Sequence, residues 1–199
     1  AKGHDLNPRE LSFRSGDEYQ AAARGKSNQN AVFFDSTGRA YTLPAHGLPS
    51  ARGLGEPLSG RLTPPEGATF AGVVMAGTRP WVLMASDHGY GFIAEVEELT
   101  TKNRAGKAVL SLAPGARVLS PVAFDNPDEE WVACATNSGH LLVFPVAEMP
   151  RMARGKGQKI MQIPTNKLRS REEIMQAICV LKPGQELRIY SGNRHLTLK

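Results

Sequence analysis

Lysine and arginine recur in three short segments that also contain glycine, and no other feature of the sequence has a clearer chemical meaning. The segments cover residues 51–55, 103–107 and 153–157, and we name them the first, second and third basic glycine segments. Glycine lets a backbone bring free N–H groups close to a phosphate, while lysine and arginine supply positive charge. The segments therefore favour binding of a ligand that carries phosphates.

The three segments keep a constant spacing, because Gly55, Gly106 and Gly157 are each 51 residues apart. A segment that recurs once per repeat of a radial fold comes to one rim, where the charges form a curved positive track suited to bent duplex DNA. A single segment of this kind is more typical of a solvated loop, so the prediction depends on the repetition. We predict phosphate contacts for Arg52, Lys102, Arg104, Lys107, Arg151, Arg154, Lys156 and Lys159, with Arg24, Lys26 and Arg61 as weaker candidates.

The elements that must position these residues repeat with the same period. Gly38, Gly89 and Gly139 lie 51 and 50 residues apart, each in a polar turn between two short apolar runs. Glycine supplies the positive φ that such a turn needs, so the pattern predicts three β-hairpins. A period near 50 with about four strands per unit is typical of radial β-blades.

We therefore predict an all-β, propeller-like array of four-stranded blades of about 50 residues, in a single domain over residues 1–199. Both a closed ring and an open arc fit the pattern. Helical periodicity is found only around residues 170–181, where Ser170 and Glu173 have the spacing of a capping box, which predicts one short helix. The predicted units are a partial blade over 1–30, blades over 31–80 and 81–130, a blade with an insertion over 131–184, and a partial terminal blade over 185–199.

Composition and the positions of cysteine and histidine exclude several classes of protein. Of the 199 residues, 41% are hydrophobic and 22% charged, with a formal net charge of +5, which is typical of a mildly basic globular protein. Cys134 and Cys179 are too few for a disulfide framework, and no apolar run approaches the roughly 20 residues of a membrane span. No zinc spacing, Walker A motif or dinucleotide fingerprint is present, so we predict no catalytic or metal-binding residue. Because the chain begins with alanine, we expect it to belong to a longer parent.

Five stretches carry a resemblance to a known family: residues 35–39, 48–58, 85–92, 103–108 and 155–164. In these stretches the sequence resembles the C-terminal DNA-binding domains of the ParC proteins of bacterial topoisomerase IV, which are related to those of gyrase. The resemblance covers essentially the whole chain. It implies a β-pinwheel, a propeller-like array whose blades exchange strands with their neighbours.

The same resemblance implies a function. Such a domain binds and bends duplex DNA without sequence specificity, and it positions the DNA for ATP-dependent strand passage in chromosome decatenation and supercoil relaxation. It needs no cofactor of its own, since ATP and Mg²⁺ act elsewhere in the parent enzyme. The implied partners are double-stranded DNA, the N-terminal part of the parent chain, the ParE component of topoisomerase IV and a condensin-type chromosome-organising protein. The implied location is cytoplasmic and nucleoid-associated, and peripheral membrane association of the parent is also compatible.

One departure from the family concerns the gyrase relatives, whose tails carry a Gln-Arg-Arg-Gly-Gly-Lys-Gly box that supports full wrapping of DNA. The sequence has no intact copy, and residues 154–157 are the nearest remnant. This favours bending of DNA over full wrapping.

Two other functions stay open at this point. A propeller with a basic rim is also suited to docking an acidic or chromosome-organising protein partner. A hydrolase on the same scaffold requires carboxylates that converge in one cleft, which a sequence cannot show.

Overall fold

The computed structural model describes residues 1–4, 6–13 and 15–199, without the side chain of Arg9. Nearly all regular structure in it is β. The strands are β1 Asn30–Asp35, β2 Arg39–Pro44, β3 Phe70–Met75, β4 Trp81–Ala85, β5 Tyr90–Glu95, β6 Lys107–Ala108, β7 Val122–Phe124, β8 Trp131–Thr136, β9 Leu141–Pro145, β10 Gln158–Lys159, β11 Met175–Leu181, β12 Leu187–Ser191 and β13 Arg194–Leu198. The one described α-helix is α1 Thr165–Ser170, and short 3₁₀ turns cover Pro8–Glu10, Ala45–Gly47, Leu58–Gly60, Val96–Leu99 and Val146–Glu148. None of the described helices has the length and apolar character needed to cross a bilayer.

The three predicted hairpins are confirmed as β1–β2, β4–β5 and β8–β9. Gly38, Gly89 and Gly139 stand at their turns with φ of 84°, 79° and 91°, a conformation that strongly favours glycine. A fourth hairpin, β12–β13, turns at Gly192. The periodic glycines therefore mark the turns that set the register of each hairpin.

The sheets are built from strands of more than one sequence repeat. The first sheet has the order β3-β1-β2-β6 and the second the order β10-β5-β4-β7, so β6 and β10 reach back to the hairpin of the preceding repeat. The third sheet has the order β11-β8-β9, and β12 and β13 form the fourth. This exchange of strands agrees with the all-β pinwheel prediction. The predicted blade boundaries follow the sequence repeat and stay a prediction, because each sheet crosses them.

The helix predicted over residues 170–181 is wrong. Ser170 is the last residue of α1 rather than its cap, and Arg171 follows in the left-handed conformation with φ of 57°. Residues 175–181 form β11, which pairs antiparallel with β8 over nearly its whole length. The β-branched residues Ile178 and Val180 suit this pairing, and pairing with a buried strand outweighs a weak local helical pattern.

The core consists of two main layers on either side of the second sheet. Val82 and Met84 of β4 belong to a buried cluster with Phe34 of the first sheet. Leu83, between them, belongs to a second cluster with Val132 of the third sheet. Because successive residues of a strand point to opposite faces, β4 is buried on both sides, which explains its uninterrupted apolar run.

Candidate nucleic-acid interface

The second and third basic glycine segments fit closely against the hairpin of the preceding repeat. Gly55, Gly106 and Gly157 all have positive φ, at 74°, 66° and 78°. A Cβ atom on Gly106 would lie 2.7 Å from the carbonyl oxygen of Ala40, and one on Gly157 only 2.0 Å from that of Gly91. Only glycine fits these positions, so the spacing seen in the sequence reflects a packing requirement as well as a conformational one.

Hydrogen bonds to the main chain join the basic glycine segments in sequence order. Arg104, in the second segment, donates from Nε to the carbonyl of Arg61, which lies just beyond the first segment, at 2.8 Å. Gly155, in the third segment, donates its N–H to the carbonyl of Val109 and accepts from the N–H of Ser111, both at 2.8 Å and just beyond the second segment. The three segments therefore follow one another along a continuous path.

Four of the predicted DNA contacts have cationic groups that are free of partners within the described part of the chain. Arg52, Lys102 and Arg154 are exposed, and Lys159 is half-buried. No hydrogen bond or ion pair of their side chains is formed with another described residue. These four charges are fully available to a ligand in solution.

Two further predicted contacts, Arg151 and Lys107, are engaged by neighbours. Arg151 forms an exposed ion pair with Asp128 at 2.8 Å, and its guanidinium lies 5.1 Å from the ring centroid of Trp81. Exposed ion pairs contribute only about 0–1 kcal/mol, so this one offers little resistance to exchange for a phosphate. Lys107 donates to the main-chain carbonyl of Glu98, which leaves its charge uncompensated.

Two residues that the sequence reasoning did not single out hold the segments in place. Arg39 donates from Nε to the carbonyl of Ala105 at 2.9 Å and from Nη2 to that of Gly106 at 3.1 Å. The ammonium of Lys156 lies 3.8 Å from the ring centroid of Tyr90, a cation–π contact. Both Arg39 and Tyr90 directly follow the turn glycine of their hairpin, and this shared position is the signal that was present in the sequence.

The three weaker candidates differ from one another in their surroundings. Arg24 and Lys26 are exposed on an irregular stretch before β1. Arg61 is paired with Glu56 at 2.9 Å, so its charge is offset locally. Arg24 and Lys26 are thus available as cations, whereas Arg61 acts mainly through its carbonyl, which receives Arg104.

The ionisable groups with shifted pKa values belong to ion pairs or to the core rather than to the basic glycine segments. A 2.5 Å hydrogen bond from His140 lowers the pKa of Glu173. A hydrogen bond from Lys182 lowers the pKa of Asp125. Burial raises the pKa of Cys134 to about 11, so its thiol is protonated at neutral pH. In the part of the chain that the structure describes, no group of three or more His, Cys, Asp or Glu is placed to hold a metal ion.

Comparison with known sequences relates the chain to components of bacterial type II topoisomerases. The family model described as "DNA gyrase C-terminal domain, beta-propeller" matches residues 80–125 and 130–180. The A-type polypeptide of DNA topoisomerase 4 from Pseudomonas aeruginosa is 50% identical over all 199 residues, and that from Escherichia coli K12 is 43% identical over the same span. The chain spans 26% of the length of each of these relatives.

Comparison with solved structures gives the same relationship. The structure of the E. coli ParC C-terminal domain matches with a TM-score of 0.86 and 42% identity, over 100% of this chain and 80% of that one. The structure of a DNA gyrase A C-terminal domain matches with a TM-score of 0.64 over 85% of this chain and 56% of that one. At 13% sequence identity, this second match shows a shared fold alone.

Proposed function

Because the chain belongs to the family of ParC C-terminal domains of DNA topoisomerase IV, we propose that it binds duplex DNA through its phosphates and bends it. The continuous path of the three basic glycine segments supports this proposal most directly. Segments joined in order by hydrogen bonds to the main chain present their cations in succession, as a ligand with regularly spaced phosphates requires. Glycine-rich backbone along the path allows close approach of the DNA.

The contacts are expected to be made to phosphates with little reading of the bases. The eight predicted residues are lysines and arginines on turns and short strands, and none extends from an element of the size that enters a major groove. If all eight neutralise a phosphate, the logarithm of the affinity falls with the logarithm of the salt concentration with a slope of about −7. Binding is then strongly dependent on salt and nearly independent of sequence.

Bending fits the chain better than complete wrapping. Bending a site of about 20–30 base pairs by roughly 40–90° costs on the order of 1–6 kcal/mol, which several phosphate contacts can offset. Residues 154–157 are only a remnant of the box that supports wrapping in gyrase tails. A curved path with a moderate number of cations suits a bent segment of this length.

In the parent enzyme, the bound segment would be presented for ATP-dependent strand passage in decatenation and supercoil relaxation. Catalysis, ATP and Mg²⁺ belong in this proposal to the other parts of the parent and to ParE. The parent would work in the cytoplasm, on the nucleoid. Docking of a chromosome-organising protein of the condensin type stays an additional expectation, for which the exposed cations would supply a surface.

The proposal is tested by fluorescence anisotropy with two unrelated labelled duplexes of about 30 base pairs, between 50 and 200 mM salt. A second pair of labels, at the two ends of the duplex, reports bending through energy transfer. We expect equal affinities for the two sequences, a steep negative salt slope and increased transfer on binding. Absence of binding at low salt would overturn the proposal and point to protein docking, and a strong preference for one duplex would indicate base reading.

A further inference from the structure

We propose that the outer edge of β9 is an acceptor site for one more β-strand, donated by a partner polypeptide segment of the form Gly-x-x-(Val/Ile)-(Leu/Met). The site would be completed by main-chain pairing, a form of β-augmentation. This inference stands apart from DNA binding, because it rests on a comparison of the three hairpin sheets within the chain.

In the first two sheets, the second strand of the hairpin carries a short strand on its outer edge. β6 pairs with β2 through Ala40 and Lys107, and β10 pairs with β5 through Gly91 and Gln158. β9 is the equivalent strand of the third hairpin, and the third sheet ends with it. Within the described residues, no strand pairs with its other side.

The main-chain groups at this edge point outward. The N–H of Thr136 donates to the carbonyl of His140 at the hairpin turn, which fixes the alternation of hydrogen-bonded pairs along β8 and β9. By this alternation, the N–H and C=O groups of Leu141 and Val143 face away from β8. They form a row of donors and acceptors of the kind that an added strand satisfies.

The hairpin turn keeps open the space that is filled in the other two. A Cβ atom on Gly38 would lie 2.0 Å from the carbonyl oxygen of Leu110, and one on Gly89 would lie 2.9 Å from that of Met161. The same atom on Gly139 would meet nothing within 4 Å. Each of the first two glycines also accepts, through its carbonyl, two N–H groups of the incoming segment.

The side chains at the edge are apolar and exposed. Leu141, Leu142 and Val143 are 38%, 39% and 42% exposed, whereas Phe92 and Ile93 on the equivalent strand β5 are fully buried. A long apolar edge strand is a hazard for aggregation unless something covers it. The exposure and the outward main-chain groups therefore indicate one site.

The chemistry of the partner follows from the two segments that already occupy such edges, residues 106–110 and 157–161. Each begins with a glycine of positive φ, continues with two residues that pair with the hairpin, and ends with two aliphatic residues. These aliphatic pairs, Val109 with Leu110 and Ile160 with Met161, are buried in the two core layers. A partner of this pattern would cover Leu142 in the same way.

The test uses a synthetic peptide that copies residues 154–163, added to the ¹⁵N-labelled chain while amide chemical shifts are recorded. A control peptide carries valine in place of the glycine that corresponds to Gly157. In the chain, Leu141→Pro removes an outward N–H and leaves the β8–β9 ladder unbroken. Leu141→Thr is the matched variant, because it keeps the N–H and loses the leucine side chain.

We expect saturable shifts at the amides of Leu141 and Val143, weak or absent with the control peptide. Leu141→Pro should weaken binding by about tenfold, which corresponds to one lost hydrogen bond, and Leu141→Thr should have a smaller effect. The shifts of β8 amides verify that each variant is folded, and Val143→Pro replaces Leu141→Pro if that variant is not. No saturable binding, equal losses in the proline and threonine variants, or self-association through β9 would overturn the proposal.

Discussion

Neutralising the four cations that lack partners in the described part of the chain is the sharpest test of the DNA-binding path. Substitution of Arg52, Lys102, Arg154 and Lys159 by glutamine removes charge without breaking any described side-chain contact. Each phosphate contact contributes about −0.9 to the slope of log affinity against log salt. Four lost contacts should therefore change the slope from about −7 to about −3.6, which anisotropy measurements between 50 and 200 mM salt resolve easily.

A matched control separates the path from net charge. Four cations that are paired with acidic residues are also replaced by glutamine, which lowers the formal net charge from +5 to +1 in both variants: Arg79, Lys167, Lys182 and Arg188. Each loses a charge that a carboxylate already compensates, so we expect the slope to change by less than about 1. Equal changes in the two variants would refute the reasoning, because binding would then follow overall charge. Thermal melting verifies that both variants are folded.

Three further outcomes are expected. Tyr90→Leu should weaken DNA binding by about two- to fivefold through loss of the cation–π contact, Tyr90→Phe should not, and neither should matter once Lys156 is glutamine; anisotropy decides. Gly157→Ala should lower the free energy of unfolding in urea by at least about 1–3 kcal/mol, from backbone strain and its clash, whereas Gly60→Ala, which has open space, should not. The lowered pKa of Glu173 contributes stability above its ordinary pKa of 4.5, and this contribution is lost as the pH falls through the lower folded value. Glu173→Gln should therefore shift acid unfolding, followed by circular dichroism, to higher pH.

The hairpins were predictable because their signal is local. A turn glycine with positive φ between two apolar runs determines a hairpin within about 15 residues, and Gly38, Gly89 and Gly139 show this directly. The helix prediction failed for the opposite reason. Whether residues 175–181 form a helix or a strand is decided by β8, about 40 residues earlier, which no local pattern reports.

The candidate site was predictable in its cations but not in their arrangement. The period of 51 residues places Arg104 and Lys156 in equivalent segments, and the structure adds what each of them contacts. Arg39 holds carbonyls that lie more than 60 residues away, because a strand of the next repeat pairs with its own hairpin. Without knowledge of that exchange, Arg39 is one more charged residue beside a turn.

The exchanged strands also bear on how an array of this kind changes in length. β6 and β10 are held by main-chain hydrogen bonds and a glycine of positive φ, both of which tolerate many sequences. A strand from any repeat can therefore serve any hairpin, and insertion or loss of one 51-residue period inside the chain leaves every internal pairing intact. Recombination between repeats would lengthen or shorten the arc, and with it the stretch of double helix held along its rim, without a new interface having to evolve.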